Sequence, residues 1–353
     1  MADQRTEITE IVTGLGMLGF SDLDRTLEVR PRSVRNIEAV HYDRLDEARR
    51  TGRFEREFAV AWDNGVEFSR SAEGLRGRPP WSLEWKGTHR PPGYEQIPAD
   101  LRVDHVYLVS CKYGSNILTN SSPANLFERL LADRRDAGGD WFLEVAPTAY
   151  QEFYTACRRH LGEHRLPRSV GDLRVEDREL LKRTLPRHLT GELARTYREF
   201  AAAVAGASAT RWKQRMGASS RQEETLWRLL RLQAAPYFVL GESSEGSPLR
   251  YRIDTPWDFR TRYRFEGLDA WADGSKRQPV VQWRANVHDR TTDTTVTAAG
   301  HVEVRWSHGR FAQAPEAKVY LDTPQHLVPG YVPLSDPPQP DRLPLRWTEG
   351  AGQ

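Results

Sequence analysis

Asp104-His-Val-Tyr-Leu-Val-Ser-Cys-Lys112-Tyr-Gly-Ser115 is the stretch whose reading decides the fold. Residues 105 to 111 form a short, mostly apolar run, β-branched and aromatic, which predicts a buried strand. The strand ends on Lys112. A lysine is almost never buried without a partner, so a cation at this position asks for nearby acids. Working outward, two proline pairs, Pro79-Pro80 and Pro91-Pro92, bracket Trp81-Ser-Leu-Glu-Trp-Lys-Gly87. In that segment Trp81, Leu83 and Trp85 alternate with Ser82, Glu84 and Lys86, the pattern of a half-buried strand.

Residues 5 to 72 read as mainly helical. On the other side of the lysine, Asn120-Ser-Ser-Pro123 signals a helix start. The pattern predicts a helix over 124–135, stopped by Gly138-Gly139, and a further short strand over 141–145. A helix follows over 150–160, then a helical stretch from about 175 to 233. After Pro236 the texture changes to strand-like runs separated by Gly, Ser, Asp and Pro. The expected class is α+β: an α/β domain over 1–165, a basic helical region over 166–236, a β-rich domain over 237–335 and a loose tail over 336–353.

Composition narrows the function classes. With 353 residues, 28% charged and 38% hydrophobic, the chain suits a globular protein of more than one domain. No apolar run approaches the roughly 18 residues that span a bilayer. Two cysteines, Cys111 and Cys157, give no disulfide framework. The polar start, Met-Ala-Asp-Gln-Arg-Thr-Glu, has no signal-peptide core, so a cytoplasmic location is expected. The net charge is only +2, but residues 157 to 232 hold 17 Lys or Arg against 9 Asp or Glu. Arg binds phosphate bidentately, so Arg211, Lys213, Arg215 and Arg221 are candidate nucleic-acid contacts. A solvated helical face is the plainer explanation. Arg305, in the alternating segment Gly300-His-Val-Glu-Val-Arg-Trp306, is a further candidate.

An acid before the strand, Ser-Cys-Lys at its end and more acids nearby resemble the active sites of the PD-(D/E)XK restriction-endonuclease-like superfamily. The likeness covers about residues 40 to 146. It is closest to the variant whose strand carries Ser-Cys-Lys and whose following helix supplies a glutamate. The resemblance implies a Mg²⁺-dependent (or Mn²⁺-dependent) DNA endonuclease, in defence against foreign DNA. Lys112 would steady the attacking water, with Ser110 where the family usually has an acid. Glu84 and Asp104 would hold the metal, and Glu128 or Glu67 would complete its shell. Asp100 follows Pro98-Ala99 and gives a Pro-x-Asp ten residues before Ser110, but its proline-flanked loop ranks it behind Glu84 and Asp104. A homodimer or a partner protein of a defence system is implied as well. Because a hydroxyl is a poor metal ligand, Ser110 also admits a non-catalytic DNA-binding subunit.

Two other motifs compete. Gly14-Leu-Gly-Met-Leu-Gly19 spells GxGxxG but lacks the strand before it and the helix after it that a dinucleotide site needs. His160-Leu-Gly-Glu-His164, with Cys157 one turn earlier, matches an inverted zinc-hydrolase motif, though Gly162 and Pro167 mark a helix end. A basic last turn opposite the helix dipole explains those residues without zinc.

Overall fold

The computed structural model describes residues 4–87, 99–132, 139–162 and 165–336. The chain is mixed α and β and folds as two compact units, each built from separated pieces. Residues 1–115, 233–255 and 330–353 make the first; residues 116–232 and 256–329 make the second. The contiguous segments expected from the sequence, with boundaries at 165, 236 and 335, are replaced by this interleaving. The reason is strand pairing. The strands on either side of residue 255 are alike in texture but belong to different sheets.

The first unit opens with four helices, α1 (Gln4–Gly16), α2 (Leu23–Val29), α3 (Ala39–Arg50) and α4 (Glu55–Arg70), as the helical reading of 5–72 expects. A two-residue strand, β1 (Val34–Arg35), lies between α2 and α3. Three strands follow: β2 (Leu83–Trp85), β3 (Leu101–Val103) and β4 (Tyr107–Tyr113). They form an antiparallel meander, and β1 runs parallel to β2 at one edge. The chain returns to this sheet much later. In chain order after β4 and β5 (Ile117–Ser121), β6 (Tyr237–Glu242) and β7 (Pro248–Ile253) form a hairpin, with β6 parallel to β4. The last strand, β12 (Tyr331–Pro333), closes the seven-stranded sheet beyond β7.

Helices α1 and α4 cover one face of this sheet. Ile8, Ile11, Val12 and Leu15 pack with Leu83, Leu101, Val109, Phe238 and Leu240 in one buried cluster. The contact between the helices is a backbone contact. A Cβ on Gly65 would lie 2.1 Å from the Thr13 carbonyl, and one on Gly16 would lie 2.4 Å from the Trp62 carbonyl. Packing therefore explains Gly14 and Gly16, which sit inside α1 and not in a strand-to-helix turn, while Gly19 takes a positive φ of 81° beyond the helix.

The second unit holds a five-stranded antiparallel sheet in the order β5, β11, β10, β9, β8. Its other strands are β8 (Tyr263–Ala272), β9 (Val280–Asp289), β10 (Thr294–Arg305) and β11 (Glu316–Leu321). Alternate residues of β10, from Ala298 to Val304, are buried, as an antiparallel sheet with one covered face requires. The helices are α5 (Pro123–Phe127), α6 (Trp141–Val145), α7 (Pro147–Leu161), α8 (Val175–Thr184), α9 (Gly191–Met216), α10 (Ser219–Leu229) and α11 (Pro256–Arg262). The strand expected over 141–145 is the helix α6. A five-residue, mostly apolar run fits either state, and Asp140 decides it by accepting the Phe142 N–H at 3.1 Å as an N-cap. The helix expected over 124–135 ends early, with Glu128 as the C-cap of α5; residues 133–138 and the tail from 337 onward lie outside the described residues. No helix among the described residues is long and apolar enough to cross a membrane.

Candidate active site

Strand β4 carries Ser110 and Lys112 on one face and Val109, Cys111 and Tyr113 on the other, by the period of two. The register fixes what lies beside Lys112. Leu101 pairs with Val109, and one step further out the Asp100 N–H donates to the Val109 carbonyl at 2.8 Å. Asp100 therefore stands opposite Ser110, at the same end of the hairpin as Lys112. Its Oδ2 accepts the Cys111 N–H at 2.6 Å and lies 3.4 Å from the Ser110 hydroxyl. Ser110 is 1% exposed. Burial raises the Asp100 carboxyl above its ordinary value, against the opposing pull of the Cys111 N–H, the Lys112 and Lys86 charges and the Ser110 hydroxyl.

A second carboxylate comes from α1. Glu10 is half-buried, and its Oε2 accepts the Trp85 indole N–H at 2.8 Å. It is pushed up to about 7, first by burial and then by the negative charge of Asp100. Trp85 and Lys112 pull it back, and Glu7 adds to the rise. The Cys111 thiol is pushed well above its usual range by burial, with Asp100 and Glu10 adding repulsion. Two mutually repelling, desolvated carboxylates thus lie within electrostatic reach of Lys112. Perturbed carboxylates of this kind concentrate at functional sites.

The backbone behind Lys112 is equally constrained. Lys112 pairs with Gly241 of the parallel strand β6, where a Cβ would fall 1.7 Å from the Lys112 carbonyl oxygen. Only glycine admits that approach.

The other acids expected around Lys112 are placed elsewhere. Asp104 stands at the opposite end of the hairpin. The strand runs away from its turn, so Lys112 is roughly 17 Å from Tyr107, at about 3.4 Å per residue. Asp104 organises the turn instead. It accepts the N–H groups of Trp81 at 2.6 Å and Ser82 at 3.1 Å and pairs with Arg78. Asp104 and His105 both have positive φ, 51° and 60°, and Val106 N–H reaches the Val103 carbonyl, the geometry of a type I′ turn. Glu84 shares the face of Lys112 but pairs through Arg102 with Leu108, four residues and roughly 13 Å down the strand. Its carboxylate is held by the Arg102 guanidinium, with Nε at 2.7 Å. Glu67 faces Arg250 at 3.5 Å. Glu128 belongs to the second unit, where Arg211 binds both it and Glu144.

The basic candidates divide in two. Arg211 lies over the Trp141 ring between its two glutamates, Lys213 pairs with Asp269 at 2.9 Å, and Arg305 pairs with Glu303 at 3.0 Å. These charges are used inside the unit. Arg215 and Arg221 are exposed and, among the described residues, form no ion pair. Cys157 is buried and its thiol is pushed up to about 12, chiefly by burial, while His160 is exposed at the end of α7. Glu163 and His164 lie outside the described residues. A protonated, buried thiol is a poor start for a zinc site, and no group of three or more His, Cys, Asp or Glu among the described residues is placed to hold a metal.

The sequence reading did not single out Glu10 and placed Asp100 behind Glu84 and Asp104. The signal for Glu10 was an acid beside the apolar stripe Ile8, Ile11, Val12 and Leu15, with Glu7, Thr9 and Thr13 also buried in the same helix. No known protein family, curated protein or solved structure matches this chain.

Proposed function

We propose that the first unit is a divalent-metal-dependent nuclease that hydrolyses phosphodiester bonds of DNA, with Asp100, Glu10 and Lys112 at its centre. What supports this reading is that the Asp100 and Glu10 carboxyls are both raised, repel each other and feel the Lys112 charge, with Asp100 held at the open end of the hairpin by the Cys111 N–H. Asp100, not Asp104 or Glu84, now takes the place of the acid in the resemblance to the PD-(D/E)XK superfamily. The Pro-x-Asp spacing supports it from the sequence side.

The donors fit Mg²⁺ or Mn²⁺. Glu10 and Asp100 offer hard carboxylate oxygens, and Mg²⁺ keeps several waters, so two carboxylates suffice to hold it. Each carboxylate is disfavoured as an anion by burial and by the other, and a divalent cation would relieve both costs. When bound, the metal would supply Lewis-acid stabilisation of charge on the phosphate. Lys112 adds a fixed positive charge beside the same group and orients the attacking water. Trp85 holds Glu10 by its indole N–H. The Cys111 N–H fixes one oxygen of Asp100, which leaves the carboxylate little freedom to turn. In this account Ser110 is no metal ligand; its hydroxyl and the Cys111 amide hold Asp100.

Arg215 and Arg221 are the basic residues best placed to meet a phosphate backbone, because their charges are unspent. The alternative, a DNA-binding subunit without catalysis, draws on Ser110 standing where the family has an acid. One assay separates the two. Plasmid and single-stranded DNA are incubated with the protein in Mg²⁺, Mn²⁺ or EDTA. Nicking in either metal and none in EDTA supports the nuclease, whereas binding without cleavage in every condition supports the subunit.

A further inference from the structure

Behind the Lys112 end of β4 runs a chain of buried and part-buried hydrogen bonds. Arg250 Nε donates to Asn64 Oδ1 at 2.8 Å, which makes the other end of that amide the donor. Asn64 Nδ2 donates to the Gly241 carbonyl at 3.0 Å and to the Tyr113 oxygen at 3.3 Å. The Thr13 hydroxyl gives its proton to the Thr9 carbonyl at 2.7 Å, so in the 2.6 Å contact between Thr13 and Tyr113 the tyrosine must donate. The order is therefore Arg250, Asn64, Tyr113, Thr13, Thr9, each donating to the next. Asn64 and Thr13 are fully buried.

This relay ties α4 through Asn64, the β4–β6 pair through Tyr113 and Gly241, and α1 through Thr13 and Thr9. Its endpoints bracket the candidate site. Tyr113 follows Lys112 directly, Gly241 is the strand partner of Lys112, and Thr9 precedes Glu10. Thr13 lies one turn beyond Glu10 on the same side of α1. Apolar packing of α1 on the sheet is non-directional. A polarised relay adds a directional constraint, because its members have one arrangement that satisfies all their neighbours.

We propose that Thr13, Tyr113 and Asn64 are positioning residues that hold Glu10 at the Lys112 end of the sheet. The inference rests on the nuclease reading only for the purpose it assigns to that placement. Its test uses two readouts on the full chain. The first is the ¹⁹F resonance of Trp85 in protein labelled with 5-fluorotryptophan, identified by Trp85→Phe; it reports the indole bond to Glu10. The second is Mn²⁺ binding by calorimetry without DNA. Thr13→Val and Tyr113→Phe keep shape and remove one hydroxyl each. Both are expected to move or split the Trp85 resonance and to weaken Mn²⁺ binding by about tenfold, as loss of an outer-shell partner does. Thr13→Ser retains the hydroxyl and should match the parent protein in both. A Trp85 resonance unmoved in Thr13→Val and Tyr113→Phe would overturn the inference. Absence of Mn²⁺ binding in the parent protein would sink the nuclease reading instead, and the Trp85 resonance would then decide the positioning role alone.

Discussion

The two ends of the β3–β4 hairpin carry aspartates four residues apart, and the fold treats them in opposite ways. At the turn, Asp104 is surrounded by donors: two backbone N–H groups and Arg78. Burial alone would raise it, but those donors outweigh burial and hold it below the ordinary carboxylate range. At the open end, Asp100 is half-buried and repelled by Glu10, and burial outweighs its donors. An acid whose charge is satisfied by its own fold stabilises that fold. One held against its preference has something left for a ligand to satisfy. By this reasoning Asp104 is structural and Asp100 is the candidate for chemistry.

Substitutions at the two ends should separate cleanly. Asp100→Asn or Lys112→Ala should lower Mg²⁺-dependent DNA cleavage by roughly a hundred- to a thousandfold, the scale of losing an electrostatic group from a water-poor site. DNA affinity measured in EDTA should change little, since one charge among many phosphate contacts is lost. Asp104→Ala should do the reverse. It removes acceptors for two N–H groups and Arg78 and leaves alanine at positive φ, so unfolding by urea should show a loss of about 2–3 kcal/mol. Cleavage per folded molecule should persist. Full cleavage by Asp100→Asn, or a dead but stable Asp104→Ala, would break the comparison.

The pH dependence of stability sharpens it further. Glu10 is raised from 4.5 to about 7, so the folded protein binds this proton more tightly than the unfolded chain. Its contribution is fully present below about pH 4.5 and is lost as pH rises towards 7. Asp104 is lowered, so its contribution is present above its ordinary value of 3.8 and is lost as pH falls through the depressed value. Urea midpoints compared at pH 5 and pH 7.5 should therefore fall less in Glu10→Gln than in the parent protein. An identical fall would show that Glu10 is not buried against its charge.

The smallest effect concerns the unspent arginines. Reversing Arg215 and Arg221 together should flatten the dependence of log affinity on log salt by roughly two units, at about 0.9 per lost phosphate contact on duplex DNA. Thermal stability should stay within about 0.5 kcal/mol, because neither side chain is paired. The same reversal at Arg211 should destabilise, since Glu128 and Glu144 would lose their cation. An unchanged salt slope would assign Arg215 and Arg221 to a solvated face.

Much of this was legible in the chain. The apolar run at 105–111 marks β4, and the alternation at 81–87 marks β2 over Leu83–Trp85 only, since Trp81 lies outside that strand and is exposed. The sequence reading placed Asp104 near Lys112 by proximity along the chain. In an antiparallel hairpin the residue that enters the first strand, Asp100, meets the residue that leaves the second, while the residue nearest in sequence sits at the far turn. Glu10 left only a weak signal, an acid beside the apolar stripe of α1, because its coupling to Asp100 comes from helix packing on the sheet and not from any local spacing. The interleaved units were hidden for a related reason: β6 and β7 resemble β9 and β10 in composition, and only their pairing partners distinguish them.

The central claim is that Asp100, and not Asp104, holds a divalent cation with Glu10 beside Lys112. Mn²⁺ titrated calorimetrically into the parent protein, Asp100→Asn and Asp104→Asn tests it without reference to DNA. The account predicts one Mn²⁺ bound by the parent and by Asp104→Asn, and none by Asp100→Asn. Equal binding by Asp100→Asn, or binding lost only in Asp104→Asn, would contradict it.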